Sequence, residues 1–494
     1  MNLPILFFST LALIFDETTL NSFLNTISAS FSELLKILDR IIFFRIGGPE
    51  GMPLIVIWLI SGGIFFTIRM KFINIRAFKH AIDVVRGKYD DPEEPGEISH
   101  FEALATALSA TVGIGNITGV AVAIALGGPG ASLWMTVAGL LGMTTKFVEC
   151  TLGQKYRLVK PDGTVAGGPM YYLSAGLADI GQKTLGRVLA VVFASIAVCA
   201  TLATTSIFQS NQSAAVVASI VPFFADRPWV YGLIIATLVG LVIIGGIQRI
   251  ATIAGTIVPG MCGIYLLAAL WVVGANITEL PEAIATIFKG AFVPEAVAGG
   301  FLGALVQGFR RATFSNEAGL GIAAIAHAAA KTKEPVREGI VALLEPFIDT
   351  IVICNLTAIV VIITGAYNNP EFIGLDGATL TLAAFGTVSQ WLPVVLAIAI
   401  FLFAFSTIIS GAYYGEICWQ YLFGEQSKIV VYKILLLITV FVGAITGPEA
   451  VIKFGDAVKI ALAFPSLLGA YLLSNKVAVD LENYWQNFIS SGEK

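Results

Sequence analysis

SATVGIGNITGVAVAIALGGPG, residues 109–130, reads as a membrane-spanning helix interrupted near its middle. Ala, Val and Ile dominate both ends, and Thr111, Gly113, Gly115, Asn116 and Thr118 sit between them. Two glycines two residues apart weaken helix propagation, and a side-chain amide in hydrocarbon requires a partner. Backbone that leaves a helix at membrane depth is tolerated only where it is buried in protein or lines a cavity, and there its freed N–H and C=O groups can hold a ligand or an ion. The competing reading is close helix packing through small residues.

The rest of the chain supports a membrane setting. Of 494 residues, 56% are hydrophobic and 13% charged, with a mean hydropathy of +0.85. Soluble domains carry about 25% charged residues. The sequence therefore predicts an all-α polytopic membrane protein. Its charges are too few and too dispersed for a nucleic-acid surface. Cys150, Cys199, Cys262, Cys354 and Cys418 all lie in apolar segments without CxxC pairing, which reads as core packing. His80, His100 and His327 are far apart in sequence and suggest no ligand cluster.

Residues 1–51 read as an amphipathic, interfacial N-terminal segment, with Phe23, Ile27, Phe31, Leu34, Leu35 and Leu38 at helical spacing. A span needs roughly 20 apolar residues. On that measure eleven transmembrane helices are expected, near 52–70, 101–126, 131–153, 186–218, 229–247, 252–274, 295–312, 341–365, 388–418, 429–446 and 456–474. Loops placed in the cytoplasm carry about three times the Lys and Arg of the opposite side, which puts the N-terminus outside and the C-terminus inside.

A second interruption is read at AVAGGFLGALVQGF, 296–309, where Gly299 and Gly300 precede Phe301. Setting the first span aside as an addition, the two flawed helices each open a set of five. An odd number of helices per set inverts the second, and matching interrupted helices in inverted halves point to a transport site at the midplane. The expected organisation is a 52–100 extra helix with a basic segment, a first five-helix repeat at 101–280, a second at 281–475 and a 476–494 tail.

Four stretches carry a family resemblance: GIGNITGVAVAIALGGPGASLWM (113–135), AGGPMYYL (166–173), FSNEAGLGIAAIAHAAAKT (314–332) and FAFSTIISGAYYGE (403–416). They closely resemble motifs of the alanine/glycine:cation symporter family. The resemblance implies the leucine-transporter fold, a bacterial or archaeal plasma membrane, and import of a small neutral amino acid driven by Na⁺, with H⁺ as the other candidate ion. The oligomeric state is left open.

A zwitterion's charges need partners once buried. Free N–H groups at Gly113, Gly115 and Asn116 would take the carboxylate. Carbonyls at Gly299 and Gly300 would face the ammonium, with Phe301 as lid. The resemblance brings Gln209 to the substrate; the other reading is that Gln209, Asn211 and Gln212 mark a helix leaving the membrane. By the same analogy Ser406 and Thr407 hydroxyls, with carbonyls near Ser109 and Val112 and at Phe403, form a Na⁺ site, since hard cations take oxygen ligands. A Ser-Thr pair also commonly bonds back to its own helix. The family has Trp where this chain has Gly411, which implies a wider pocket admitting glutamine. Lys146 and Glu149 are read as a structural ion pair, Glu317 as a helix cap or cytoplasmic gate, and Arg310 and Arg311 as interface markers.

No enzyme constellation appears: the sequence has neither a G-x-S-x-G elbow nor HExxH. A channel needs a continuous pore lined by polar rings, and polar residues clustered at two broken helices fit a closed midplane site better; a nutrient sensor on a transporter scaffold is the alternative.

Overall fold

The computed structural model describes residues 40–48, 51–292, 300–372, 375, 377–424, 429–446 and 448–490. The interfacial segment expected before residue 40, Gly299 and the last four residues of the tail lie outside the described residues.

The chain is helical, with two antiparallel hairpins: β1 (Arg45–Ile46) with β2 (Met52–Pro53), and β3 (Leu158–Val159) with β4 (Val165–Ala166). The helices in chain order are α1 (Leu54–Arg69), α2 (Ile73–Arg76), α3 (Phe78–Val85), α4 (His100–Thr111), α5 (Val120–Gly127) and α6 (Ala131–Lys155). Next come α7 (Lys183–Ile220), α8 (Pro228–Ile243), α9 (Gly246–Ala275), α10 (Leu280–Phe292), α11 (Gly300–Asn316) and α12 (Ala324–Ala328). The remainder are α13 (Pro335–Ile363), α14 (Gly377–Gly386), α15 (Leu392–Phe423), α16 (Ile429–Ile445), α17 (Pro448–Ala461) and α18 (Ala463–Ser490).

Among the described residues five helices are long and apolar enough to cross a membrane: α7, α9, α13, α15 and the stretch Gly455–Ser490. The broken pair formed by α4 and Gly115–Gly127 makes a sixth, bent by 52°. α1, α8 and α16 are apolar but shorter.

The first break falls where the sequence places it. Ser99 starts α4 with a capping box: its hydroxyl accepts the Glu102 N–H and its own N–H donates to Glu102. The helix ends at Val112, whose ψ of 92° turns the carbonyl off the axis. A wide π-type turn, Gly115–Gly119, then leads into α5.

At the expected second break the described chain begins at Gly300, and α11 runs unbroken from there to Asn316. A second break follows at Glu317–Ala323, where Glu317, Gly319 and Gly321 have φ of 59°, 90° and 76°. Glu317 is the left-handed residue that terminates the helix, and Asn316 Oδ1 accepts the Ala318 N–H at 2.9 Å. Gly319-Leu320-Gly321 repeats the glycine spacing of Gly113-Ile114-Gly115.

Two further wide turns sit inside long helices, Thr201–Phe208 in α7 and Phe347–Cys354 in α13. Such turns re-aim side chains and recur at functional sites. The Gly115–Gly119 turn packs against both α11 and the Phe347–Cys354 turn, and α4 packs on α9 and α15. Both breaks therefore meet in the centre of the bundle.

Candidate functional site

Asn116, on the first wide turn, is fully buried. Its Oδ1 accepts the Gly113 N–H at 2.8 Å, closing the break on itself. Its Nδ2 donates to Asp349 Oδ1 at 2.6 Å and to the Asp349 carbonyl at 3.1 Å. Ser315, at the end of α11, donates to Asp349 Oδ2 at 2.9 Å, and Thr350 Oγ1 does so at 2.8 Å. Asn316 Nδ2 donates to Thr350 at 2.8 Å. Asp349 is thus a carboxylate with no exposed surface, held between the two breaks by neutral donors alone among the described residues. A buried charge without a counter-charge is strongly disfavoured, so this position calls for a cation or a proton.

Neither Asp349 nor Ser315 was singled out in the sequence. The signal was there: Asp349 is an acidic residue within the apolar run of the expected eighth span, and intramembrane ionisable residues are functional candidates by default.

The Ser-Thr pair of α15 lies at the end of α4. Thr407 Oγ1 donates to the Ser109 carbonyl at 3.0 Å, Ser406 Oγ to the Phe403 carbonyl at 3.1 Å, and Ser109 Oγ to the Ser406 carbonyl at 2.7 Å. Ser109, Phe403, Ser406 and Thr407 therefore form one cluster of hard oxygens, and Val112 ends the helix beside it. Gly113 must be glycine here, because a Cβ would lie 2.6 Å from Thr407 Oγ1.

Gln209 follows the wide turn of α7, and its Oε1 accepts the Ile114 N–H at 3.4 Å. It faces the first break and does not mark a helix leaving the membrane. Asn211, by contrast, donates to the Gly443 and Thr446 carbonyls.

Phe301, expected as a lid, sits at the start of α11, edge-on to Trp134 at 5.4 Å and far along the helix from Glu317. The aromatic beside the break is Phe314, which meets Phe208 of α7 edge to face at 5.7 Å and lies 3.7 Å from the Cβ position of Gly115. The carbonyls freed at the second break belong to this end of α11. One of them, Phe314 O, accepts from Lys459 Nζ at 2.8 Å.

At Gly411 a Cβ would lie 2.5 Å from Thr205 Oγ1 and 2.6 Å from Thr205 Cβ. Gly411 thus lets α15 and α7 approach closely.

Several charged residues find their partners across helices. Lys146 pairs with Glu345 at 2.7 Å, not with Glu149, which accepts from Ser466 Oγ at 3.0 Å. Spacing on one helix put Lys146 and Glu149 on one face, but α13 supplies the nearer carboxylate. Arg311 is buried and bonds both oxygens of Asp456, with Arg310 on the same carboxylate at 3.1 Å, so this pair clamps α11 to α17. Glu317 pairs with Lys459 at 2.9 Å. Folding also joins two of the scattered histidines: His100 and His327 share Glu338, the latter through Nδ1 at 2.5 Å.

A family model described as the sodium:alanine symporter family matches residues 42–494. The chain belongs to that family. Family membership makes it a membrane transporter and not an enzyme. It is similar to the sodium/alanine symporter AgcS of Methanococcus maripaludis, with 41% identity over 87% of this chain and 94% of that one. It is also similar to the probable sodium/glutamine symporter GlnT of Bacillus subtilis, at 38% identity over 87% of each. Among solved structures it resembles MhsT in complex with L-phenylalanine, with a TM-score of 0.55 and 13% identity over 76% of this chain and 88% of that one, which shows a shared leucine-transporter-type fold.

Proposed function

We propose that the chain is a Na⁺-coupled symporter of small neutral amino acids, alanine and glycine first, working by alternating access. The observation that carries this reading is Asp349: a buried carboxylate whose hydrogen-bond partners are all neutral, placed where the two broken helices meet. Relatives named as sodium/alanine and sodium/glutamine symporters support the same reading.

Two cation positions follow. One is the oxygen cluster of Ser109, Val112, Phe403, Ser406 and Thr407. The other is the Asp349 carboxylate with the Ser315 and Thr350 hydroxyls. Both are built from hard oxygen donors, which suits Na⁺. The substrate carboxylate takes the N–H groups of Gly113 and Ile114, displacing the amide oxygens of Asn116 and Gln209 that hold them now. The second break offers carbonyls to the ammonium, and Phe314 with Phe208 covers the site.

The remaining organisation is proposed with it: eleven spans, five plus five inverted around these breaks after one extra helix, N-terminus outside and C-terminus inside. In that orientation Arg157 locks the cytoplasmic end, donating to the carbonyls of Ala328, Ala330, Pro95 and Thr332 at 2.6–2.7 Å. Opening to the cytoplasm breaks this fork.

The test is uptake of radiolabelled alanine and glutamine into proteoliposomes under an inward Na⁺ gradient, a proton gradient, or neither. Concentrative alanine uptake with Na⁺ alone is expected. Concentration driven only by protons replaces the ion, and no concentration under any gradient removes the symporter reading.

A further inference from the structure

Between the end of α1 and the last turns of α18 lies a cavity of about 280 Å³, away from both breaks. Arg69, Lys71 and Arg76 line it on one side, and Val479, Glu482 and Ile489 on the other. Three cations against one carboxylate leave it net positive. The cations are held in place: Arg69 donates to Asn475 Oδ1 at 2.5 Å, Arg76 to the Lys71 carbonyl at 3.4 Å, and Lys71 lies 3.7 Å from Glu482. Each of these contacts leaves most of the donor's N–H groups free.

The backbone leaves exposed apolar side chains next in sequence to these cations. Lys71 and Phe72 both adopt left-handed φ, of 55° and 56°, and reverse the chain between α1 and α2. α2 is then pinned from inside: Ile73 is fully buried and Asn74 donates to the Leu140 carbonyl at 3.1 Å. Its other face is left outward, with Phe72 at 52% and Ile75 at 71% exposure, beside Ile68 at 63%. Val479 and Ile489 continue this surface on α18. Guanidinium and ammonium groups next in sequence to exposed apolar side chains, near the end of the membrane-crossing stretch that carries α18, match a phosphate headgroup with acyl chains attached.

We propose that this cavity binds the headgroup of an anionic phospholipid, with Arg69, Lys71 and Arg76 on the phosphate and Ile68, Phe72 and Ile75 against the acyl chains. Free phosphate fits the cations but leaves the apolar rim without a partner, so the lipid is the favoured occupant.

The test uses the full chain, purified and delipidated in neutral detergent, with R69Q/K71Q/R76Q as the variant; all three side chains are exposed, so folding is retained. Native mass spectrometry counts bound phosphatidylglycerol, and thermal shift compares phosphatidylglycerol, phosphatidylcholine and inorganic phosphate. Because each surface cation near an anionic lipid adds about 1 kcal/mol, the variant should bind phosphatidylglycerol roughly 10- to 100-fold more weakly. Phosphatidylcholine and inorganic phosphate should stabilise neither form. A second variant, K183Q/R187Q, removes two cations from another surface and should bind like the wild type. Equal phosphatidylglycerol binding by wild type and the triple variant overturns the site. Stabilisation of the wild type by inorganic phosphate as strong as by the lipid overturns the occupant.

Discussion

Asn116 Nδ2 donates to Asp349 Oδ1 at 2.6 Å while Asn116 Oδ1 accepts the Gly113 N–H at 2.8 Å. One amide therefore ties the first break to the buried carboxylate of α13, so a cation at Asp349 and a substrate at Gly113 report on each other through a single side chain. Asp349→Asn keeps the shape and removes the charge. A charged hydrogen-bonding partner contributes about 1.5–3 kcal/mol, so the Na⁺ concentration for half-maximal alanine uptake should rise at least tenfold, with protein yield unchanged. An unaltered Na⁺ dependence would remove Asp349 from the ion path.

Thr407→Val deletes a hydroxyl that bonds the Ser109 carbonyl at 3.0 Å and keeps the side-chain shape. A lost oxygen ligand should weaken Na⁺-driven uptake sharply while the monodisperse elution of the purified protein stays the same. Uptake equal to wild type across a Na⁺ titration would return the Ser-Thr pair to ordinary helix packing.

Gly411 and Thr205 should behave as one unit. Gly411→Ala places a methyl 2.5 Å from Thr205 Oγ1, and overpacking of this kind destabilises by roughly 1–3 kcal/mol. Thermal unfolding should show that loss, and Thr205→Gly in the same chain, which removes the Cβ 2.6 Å away as well as the hydroxyl, should restore part of it. Gly411→Trp should reduce alanine and glutamine uptake alike. Selective loss of glutamine would bring back the wider pocket.

Breaking the Lys146–Glu345 pair leaves a fully buried charge, and its partner has no water to turn to. Lys146→Met or Glu345→Gln alone should destabilise by about 3–5 kcal/mol, and the double change should recover much of it. Additive losses in a double-mutant cycle would show that the two do not act as a pair.

Outside the spans, His80 in α3 bonds Tyr484 at 2.7 Å. Burial first, then the Arg337 charge and less strongly Lys88, lower its pKa from 6.5 to about 4, with Asp83 opposing. The unfolded chain binds this proton near pH 6.5 and the folded chain does not, so His80 contributes stability above that pH and loses it as pH falls toward 4. His80→Gln should flatten the thermal stability between those values. An unchanged pH profile would assign the acid sensitivity elsewhere.

The first break was legible because Gly113, Gly115 and Asn116 are helix-breaking and polar inside an apolar run. The break at Glu317, Gly319 and Gly321 was passed over because the adjacent glycines at 299–300 look like the flaw in sequence. The oxygen cluster at Ser406 and Thr407 was reached through family resemblance. The residues that complete the centre were not: Asp349 comes from α13 and Phe314 from the far end of α11, and helical periodicity carries no information on which helix faces which. Charge pairing failed for the same reason, since Lys146 found Glu345 across helices.

The most direct measurement is isothermal titration of alanine into the purified protein in Na⁺ and in choline, with Asp349→Asn alongside. Linkage requires that Na⁺ strengthen alanine binding by the factor with which alanine strengthens Na⁺ binding. The account expects alanine binding in Na⁺, little or none in choline, and a diminished difference in Asp349→Asn. Equal alanine affinity in Na⁺ and choline would contradict coupling at this site.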